Sequence, residues 1–241
     1  MQSFRILAVI FCLVASGLAQ DPLKVAPQAY KLEFENDWVK VVRVRYGPRE
    51  KIPAHEHTKM AAAYVYLNDS GPVVFKHIGL DYGAITRQPT KAGSFRVYRA
   101  VREIHEVENL SDLPSEFLRV EWKTEPAGEK SLHGRFFRES YPAGENYQKV
   151  QFENEQVRIT RLVAARGKKL DISTSATEPA LLVVLTAARF KVTGPKVESS
   201  SLNLEPGKTM WVTVDQKEQL ENVGGAPTEL LRFDFKTKPV A

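Results

Sequence analysis

Cysteine is all but missing. Cys12 is the only one in 241 residues, and it lies in an apolar run behind the bulky Phe11. Beyond residue 20 there is none, so no disulfide, zinc ribbon, iron–sulfur cluster or thiol nucleophile can be built. A chain of this length buries enough core to fold without cross-links. Also missing beyond residue 20 are any stretch apolar enough to cross a bilayer as a helix and any sustained helical period. Charge of one sign is never concentrated. With Arg5 set aside, 33 Lys and Arg stand against 29 Asp and Glu, a net of +4, with the signs interspersed. No basic block or aromatic–basic stripe appears, and no nucleic-acid partner is expected.

The start of the chain has a different character. In MQSFRILAVIFCLVASGLAQ a lone Arg5 precedes the apolar run Ile6 to Ser16, and Gly17-Leu18-Ala19 supplies small residues at the −3 and −1 positions. That is the layout of a secretory signal peptide over residues 1–20, cut near Ala19 or Gln20. The expected destination is secreted or periplasmic, with no membrane span after cleavage.

What remains repeats itself. At a shift of 118 positions, FENDWVKVVRVRYGPREKIPAHEH (34–57) lies on FENEQVRITRLVAARGKKLDISTS (152–175), with Phe34/Phe152, Asn36/Asn154 and Arg43/Arg161 identical. At a shift of 113, EIHEVENLSDLPSEFLRVEWK (103–123) lies on QKEQLENVGGAPTELLRFDFK (216–236), keeping Glu108/Glu221, Asn109/Asn222, Glu116/Glu229 and Lys123/Lys236. Two collinear blocks at nearly one offset read as two copies of one domain. Residues 21–128 form the first and 129–241 the second.

Each copy reads as β-structure. VKVVRVRY, AAYVYL, PVVFKHI, SFRVYRAV and FLRVEWK are short β-branched or aromatic runs punctuated by Gly, Pro, Asn and Asp, and the second copy supplies their counterparts. Only SLHGRFFRE (131–139) suggests a turn or two of helix. Short strands at regular spacing predict an all-β chain of two antiparallel sandwich barrels.

IPAHEH ends the first repeated block with two histidines one residue apart. On a strand, His55 and His57 project to one face and Glu56 to the other. Two imidazoles suit a first-row transition metal but hold it weakly alone. His105, in HEVEN, is the best third donor. In the second copy these positions are Ser173, Ser175 and Glu218, a set that predicts no metal there. His77 and His133 read as filler. Tyr64, Tyr66 and Tyr98 read as barrel core, and Lys31, Arg43 and Lys51 as solvated strand faces. Glu108 and Asn109 persist in the copy without histidines, which points to turn structure rather than catalysis.

The spacing resembles the two motifs of the cupin superfamily, and because it occurs twice, a bicupin of jelly-roll type with a degenerate second domain. RVRYGPREKIPAHEH resembles the first motif, and Gly93 followed by His105-Glu-Val-Glu-Asn109 resembles the second. Two departures stand out. Arg49 occupies a position usually held by glycine, and Ala61, Ala62 and Ala63 fall where the family places a glutamate ligand. The resemblance therefore implies a divalent metal on His55, His57 and His105 without a carboxylate. Iron(II) is favoured, with manganese, zinc, nickel or copper as alternatives. It also implies a small-molecule substrate or ligand, chemistry of the dioxygenase type, and a homodimer through sheet edges. No side chain stands out as a general base. A non-catalytic binder of a sugar-like molecule and a structural bicupin stay open as alternatives.

Overall fold

The computed structural model describes residues 20–126, 132–195 and 197–240, and the side chains of 197–199 are left aside. Nearly all of the expected leader, 1–19, and the expected boundary at 128/129 lie outside the described residues. Among the described residues no helix is long and apolar enough to cross a membrane.

A single helical turn, α1 (Pro22–Val25), opens the described chain, and the Asp21 side chain accepts from the Leu23 amide. Ten strands follow: β1 (Tyr30–Glu35), β2 (Val39–Tyr46), β3 (Lys51–His57), β4 (Ala62–Tyr66), β5 (Val73–His77), β6 (Ala84–Arg87), β7 (Phe95–Tyr98), β8 (Glu103–Asn109), β9 (Ser115–Trp122) and β10 (His133–Phe136). They form an antiparallel sheet of order β1-β2-β9-β4-β7-β10 and a second of order β3-β8-β5-β6. Val42, Val44, Tyr64 and Phe117 from one sheet pack on Ile52, Phe75 and Val107 from the other.

The pattern then recurs with β11 (Tyr147–Glu153), β12 (Val157–Ala164), β13 (Lys169–Asp171), β14 (Ala180–Val184), β15 (Ala188–Gly194), β16 (Val197–Leu204), β17 (Thr209–Val212), β18 (Gln219–Asn222) and β19 (Thr228–Phe235). Their orders, β11-β12-β19-β14-β17 and β13-β18-β15-β16, repeat the first pair. The chain is all-β, two antiparallel β-sandwich barrels in tandem.

One segment departs from expectation. Residues 133–136, read as helical and placed in the second repeat, are β10, which pairs with β7 and extends the first sheet. Gly134 lets Phe136 fold against the backbone, and Phe136 stacks on Phe95 at 4.7 Å. That apolar contact with the sheet overrides the weak helical signal.

The repeated residues have repeated tasks. Asn36 Oδ1 accepts from the amides of Trp38 and Val39, as Asn154 Oδ1 does from Gln156 and Val157. Lys123 Nζ donates to Glu35 and the Asn36 carbonyl, and Lys236 Nζ to Glu153 and the Asn154 carbonyl. Asn109 Nδ2 donates to the carbonyls of Gly47 and Leu113, and Asn222 Nδ2 to those of Ala164 and Ala226. These side chains satisfy turn carbonyls and amides that no ladder reaches.

Arg43 is no solvated face residue. It pairs with Glu33 and Glu116 and donates from Nη2 to the carbonyl of Gly207 in the other barrel, at 3.0 Å. Between the barrels one apolar core runs unbroken, joining Val41, Val65, Val97 and Val120 to Ile159, Leu181, Val183 and Phe233.

Candidate metal centre

A regular strand would put Ile52, Ala54 and Glu56 on one face. The pairing of β3 with β8 instead slips between Ile52 and His55, so that Ile52 faces Val107 and His55 faces His105. This is a β-bulge over Pro53 and Ala54, where a missing proline N–H costs the ladder nothing. The extra residue rephases the strand. His55 and His57 turn into the barrel and are buried, while Glu56 turns out and pairs with Arg102. In the second copy no such slip is seen in β13, and Leu170, Ile172 and Thr174 are the buried positions. Ser173 and Ser175 are respectively half-buried and exposed, so the hydroxyls that replace the histidines do not line that barrel.

The three predicted donors converge. Ring centroids lie 4.9 Å apart for His55 and His57, 4.8 Å for His55 and His105, and 5.0 Å for His57 and His105. One nitrogen of each lies within 4.8 Å of the others. His55 Nδ1 is 2.8 Å from the Pro53 carbonyl, which can only accept, so Nδ1 carries the proton and Nε2 presents its lone pair inward. That lone pair meets the Tyr30 hydroxyl at 2.9 Å, which is also 2.8 Å from the Tyr46 hydroxyl. Both ring nitrogens of His105 are buried and find no hydrogen-bond partner among the described residues.

Burial holds all three imidazoles neutral. His105 is pushed down to about 2 by burial, with His55, Arg87 and His77 adding to the effect. His57 lies well below the ordinary histidine range for the same first reason, reinforced by Arg119. His55 is lowered by burial. Neutral imidazole is the form that binds metal. Burial and the neighbouring Tyr46 keep Tyr30 protonated. The carboxylate absent from the sequence is absent from this set too, because Ala61, Ala62 and Ala63 are buried with nothing to offer a cation.

Two cationic side chains border the trio. Arg119 is buried against Glu121 at 2.9 Å, and Arg87 lies over the Phe75 ring at 3.9 Å. The interior between the histidines and Tyr30, Tyr46 and Phe117 is nearly filled, with about 10 Å³ left, roughly the room one water needs. Beside it a cleft of about 130 Å³ reaches His57, Tyr30 and Arg119 past Asp21 and Leu23.

Two neighbours of the trio were not expected. Across β3, β8 and β5, His55 faces His105 and His105 faces His77, a row of three histidines in register. On the next rung His57 faces Glu103. Glu103 is buried, with Oε2 3.7 Å from His105 Nδ1. The i, i+2 spacing of Glu103 and His105 was visible in EIHE. The place of His77 needed the strand pairing. Tyr64 and Tyr66 are buried core as expected, while Tyr98 is half-buried and is pushed up to about 12 by burial and by Glu103. His133 is exposed on β10, away from the barrel interior.

No protein-family model matches the chain, and no curated protein matches it in sequence. Solved structures do match in shape. Salicylate 1,2-dioxygenase from Pseudoaminobacter salicylatoxidans is 12% identical with a TM-score of 0.56, over 82% of this chain and 71% of that one. A cupin 2 conserved barrel domain protein from Leptotrichia buccalis is 14% identical with a TM-score of 0.55, over 86% and 88%. Bacillus subtilis oxalate decarboxylase, described for its Mn(II) centres, is 13% identical with a TM-score of 0.54, over 89% and 77%. At such identity the likeness is one of fold. Strand order, duplication and these neighbours agree that the chain carries the cupin fold twice.

Proposed function

We propose that the first barrel holds one divalent transition metal on His55, His57 and His105 and acts on a small organic anion, with chemistry of the dioxygenase type and iron(II) the favoured ion. The observation that carries this reading is His105. An imidazole buried with neither nitrogen partnered costs roughly 1–3 kcal/mol per unsatisfied group, and a cation at the centre of the trio removes that cost at one nitrogen. His55, with its proton fixed on Nδ1 by Pro53, already presents the right lone pair.

A bound cation would supply Lewis acidity and open coordination positions. The protein's own part is to shape what reaches it. The filled interior excludes a large molecule, and the cleft beside His57 admits a small one. Arg119 and Lys40 line this cleft together with Asp21, Glu56 and Glu121, so charges of both signs flank whatever enters it. Tyr30, held neutral, gives its one hydroxyl proton to His55 Nε2, and that proton would turn to a bound molecule only once a cation took the His55 lone pair. The names of salicylate dioxygenase and oxalate decarboxylase, both acting on carboxylic acids, support this substrate class by analogy of fold. The leader-like start of the sequence supports secretion or a periplasmic location.

A second reading draws on the Tyr30 hydroxyl, which occupies the lone pair of His55, and on the small interior. In it the barrel binds a metal or small ligand without turnover. Reconstitution with iron(II), manganese(II) and zinc(II), elemental analysis, and oxygen uptake against aromatic and aliphatic carboxylates separate the two. The expected result is one metal per chain, lost in a folded His105→Ala variant, with oxygen uptake on at least one acid. Stoichiometric metal in His105→Ala would sink the site, and metal without turnover would favour the second reading.

A further inference from the structure

We propose that His77, Glu103 and the Nδ1 side of His105 form a second cation position that shares His105 with the three-histidine one, so that a metal is held in either of two adjacent places according to its hardness. This inference rests on the reading of the first barrel as a metal site and adds a place and a selectivity to it.

Donor atoms of His77, Glu103 and His105 lie within 4.8 Å of one another, as close as those of the trio. Strand pairing makes the cluster a built one, since His77 stands opposite His105 and Glu103 precedes His105 by two residues on the same face. His77 Nδ1 is 3.0 Å from the Gly83 carbonyl and must donate to it, which leaves the lone pair on Nε2. The Glu103 carboxylate is buried, with His105 at 3.7 Å and with Tyr98 and Arg119 also acting on it. A cation between the carboxylate and the two imidazoles would add the close positive charge that burial of an anion calls for.

The independent sign is again His105, 2% exposed and unpartnered at both nitrogens. A cation in the trio satisfies only one of them. A neutral imidazole carries one proton, so whichever nitrogen binds metal leaves the proton on the other, and the two positions exclude each other. The second copy bears on the same point. Counted along the paired strands β15 and β18, the positions of His77, Glu103 and His105 are Gly194, Gln216 and Glu218. The barrel that lost the trio lost the other donors with it.

The two positions differ in chemistry. Three imidazoles suit borderline ions such as zinc(II), whereas two imidazoles and a carboxylate suit harder manganese(II) and neutralise part of its charge. The exposed Tyr82 packs on His77 at 5.0 Å, and none of the three donors lines the cleft beside His57.

The test is calorimetric titration of the full chain with zinc(II) and with manganese(II), in wild type and in His57→Gln, His77→Gln and Glu103→Gln, each first shown folded by near-ultraviolet circular dichroism. His77→Gln and Glu103→Gln are each expected to weaken manganese(II) by about 10-fold to 100-fold or more and to leave zinc(II) nearly unchanged. His57→Gln should do the reverse. If Glu103→Gln weakens both metals alike, the carboxylate merely orients His105 from behind, and the second position is overturned. Manganese(II) binding untouched by His77→Gln overturns it as well. If His57→Gln weakens neither metal, it is the three-histidine site that fails, whatever the other variants show.

Discussion

Arg43 and Arg161 make one contact in two directions. Arg43 Nη2 donates to the carbonyl of Gly207 at 3.0 Å, and Arg161 Nη2 donates to the carbonyl of Gly93 at 2.7 Å. Each arginine also holds the glutamate of its own repeat, Glu116 or Glu229. Both glycines sit in the left-handed region, at φ 76° and 81°, where any other residue would be strained. The identical residues of the two copies therefore record a reciprocal interface between barrels as well as shared turns.

The Arg161 end is the more deeply buried, with Arg161 and Glu229 at 0% and 1% side-chain exposure. Removing one partner of such a pair strands the other charge and costs about 3–5 kcal/mol. Arg138, on the same carboxylate at 2.6 Å, offsets part of this. Arg161→Ala is expected to lose about 3 kcal/mol in chemical denaturation, whereas Arg49→Ala, whose solvated partner is Asp112, should cost far less because water screens that pair.

Asn109 and Asn222 predict a matched pair of effects. Each closes two carbonyls, so Asn109→Ala and Asn222→Ala should destabilise to a similar degree, by about 1–3 kcal/mol. Metal content of the folded Asn109→Ala protein should equal that of wild type. A selective loss of metal would make Asn109 part of the site.

Tyr30 competes with any cation for His55 Nε2. Tyr30→Phe removes the hydroxyl from both His55 and Tyr46. The metal-free protein should lose about 1 kcal/mol of stability while affinity for zinc(II) rises. Lower affinity would instead make the hydroxyl a ligand.

Acid should weaken the metal-free protein early. The buried histidines have folded-state values below the unfolded one, His105 at about 2 and His57 well below the ordinary range. The unfolded chain therefore binds more protons than the folded one as soon as pH drops below about 6.5. Stability is full above that point and falls as pH decreases, by up to about 1.4 kcal/mol per pH unit for each such group. His57→Gln should flatten the slope between pH 6 and 4 in urea denaturation series, and an unchanged slope would place the proton uptake elsewhere.

Much of this was legible in the sequence because it is local or repeated. Strand type, duplication, the turn asparagines and the three donors follow from short patterns compared at one offset. What escaped depends on register. The bulge at Pro53-Ala54 decides which way His55 faces, and the sequence around Ile52 alone gives the opposite phase. His77 reads as filler until β5 is laid beside β8. Arg43 alternates like any solvated strand residue, and only the second barrel, arriving 164 residues later at Gly207, covers it. The segment 131–139 carries helical residues, and an aromatic stack between β10 and β7 decides its form.

The apolar core shared between the two barrels has a thermodynamic corollary. If neither half can melt without exposing the other, a ligand captured in the first raises the melting point of the second, although the second offers it no donor. Heating the metal-loaded chain should then yield one cooperative transition at elevated temperature, with the donor-poor half protected by an ion it never touches.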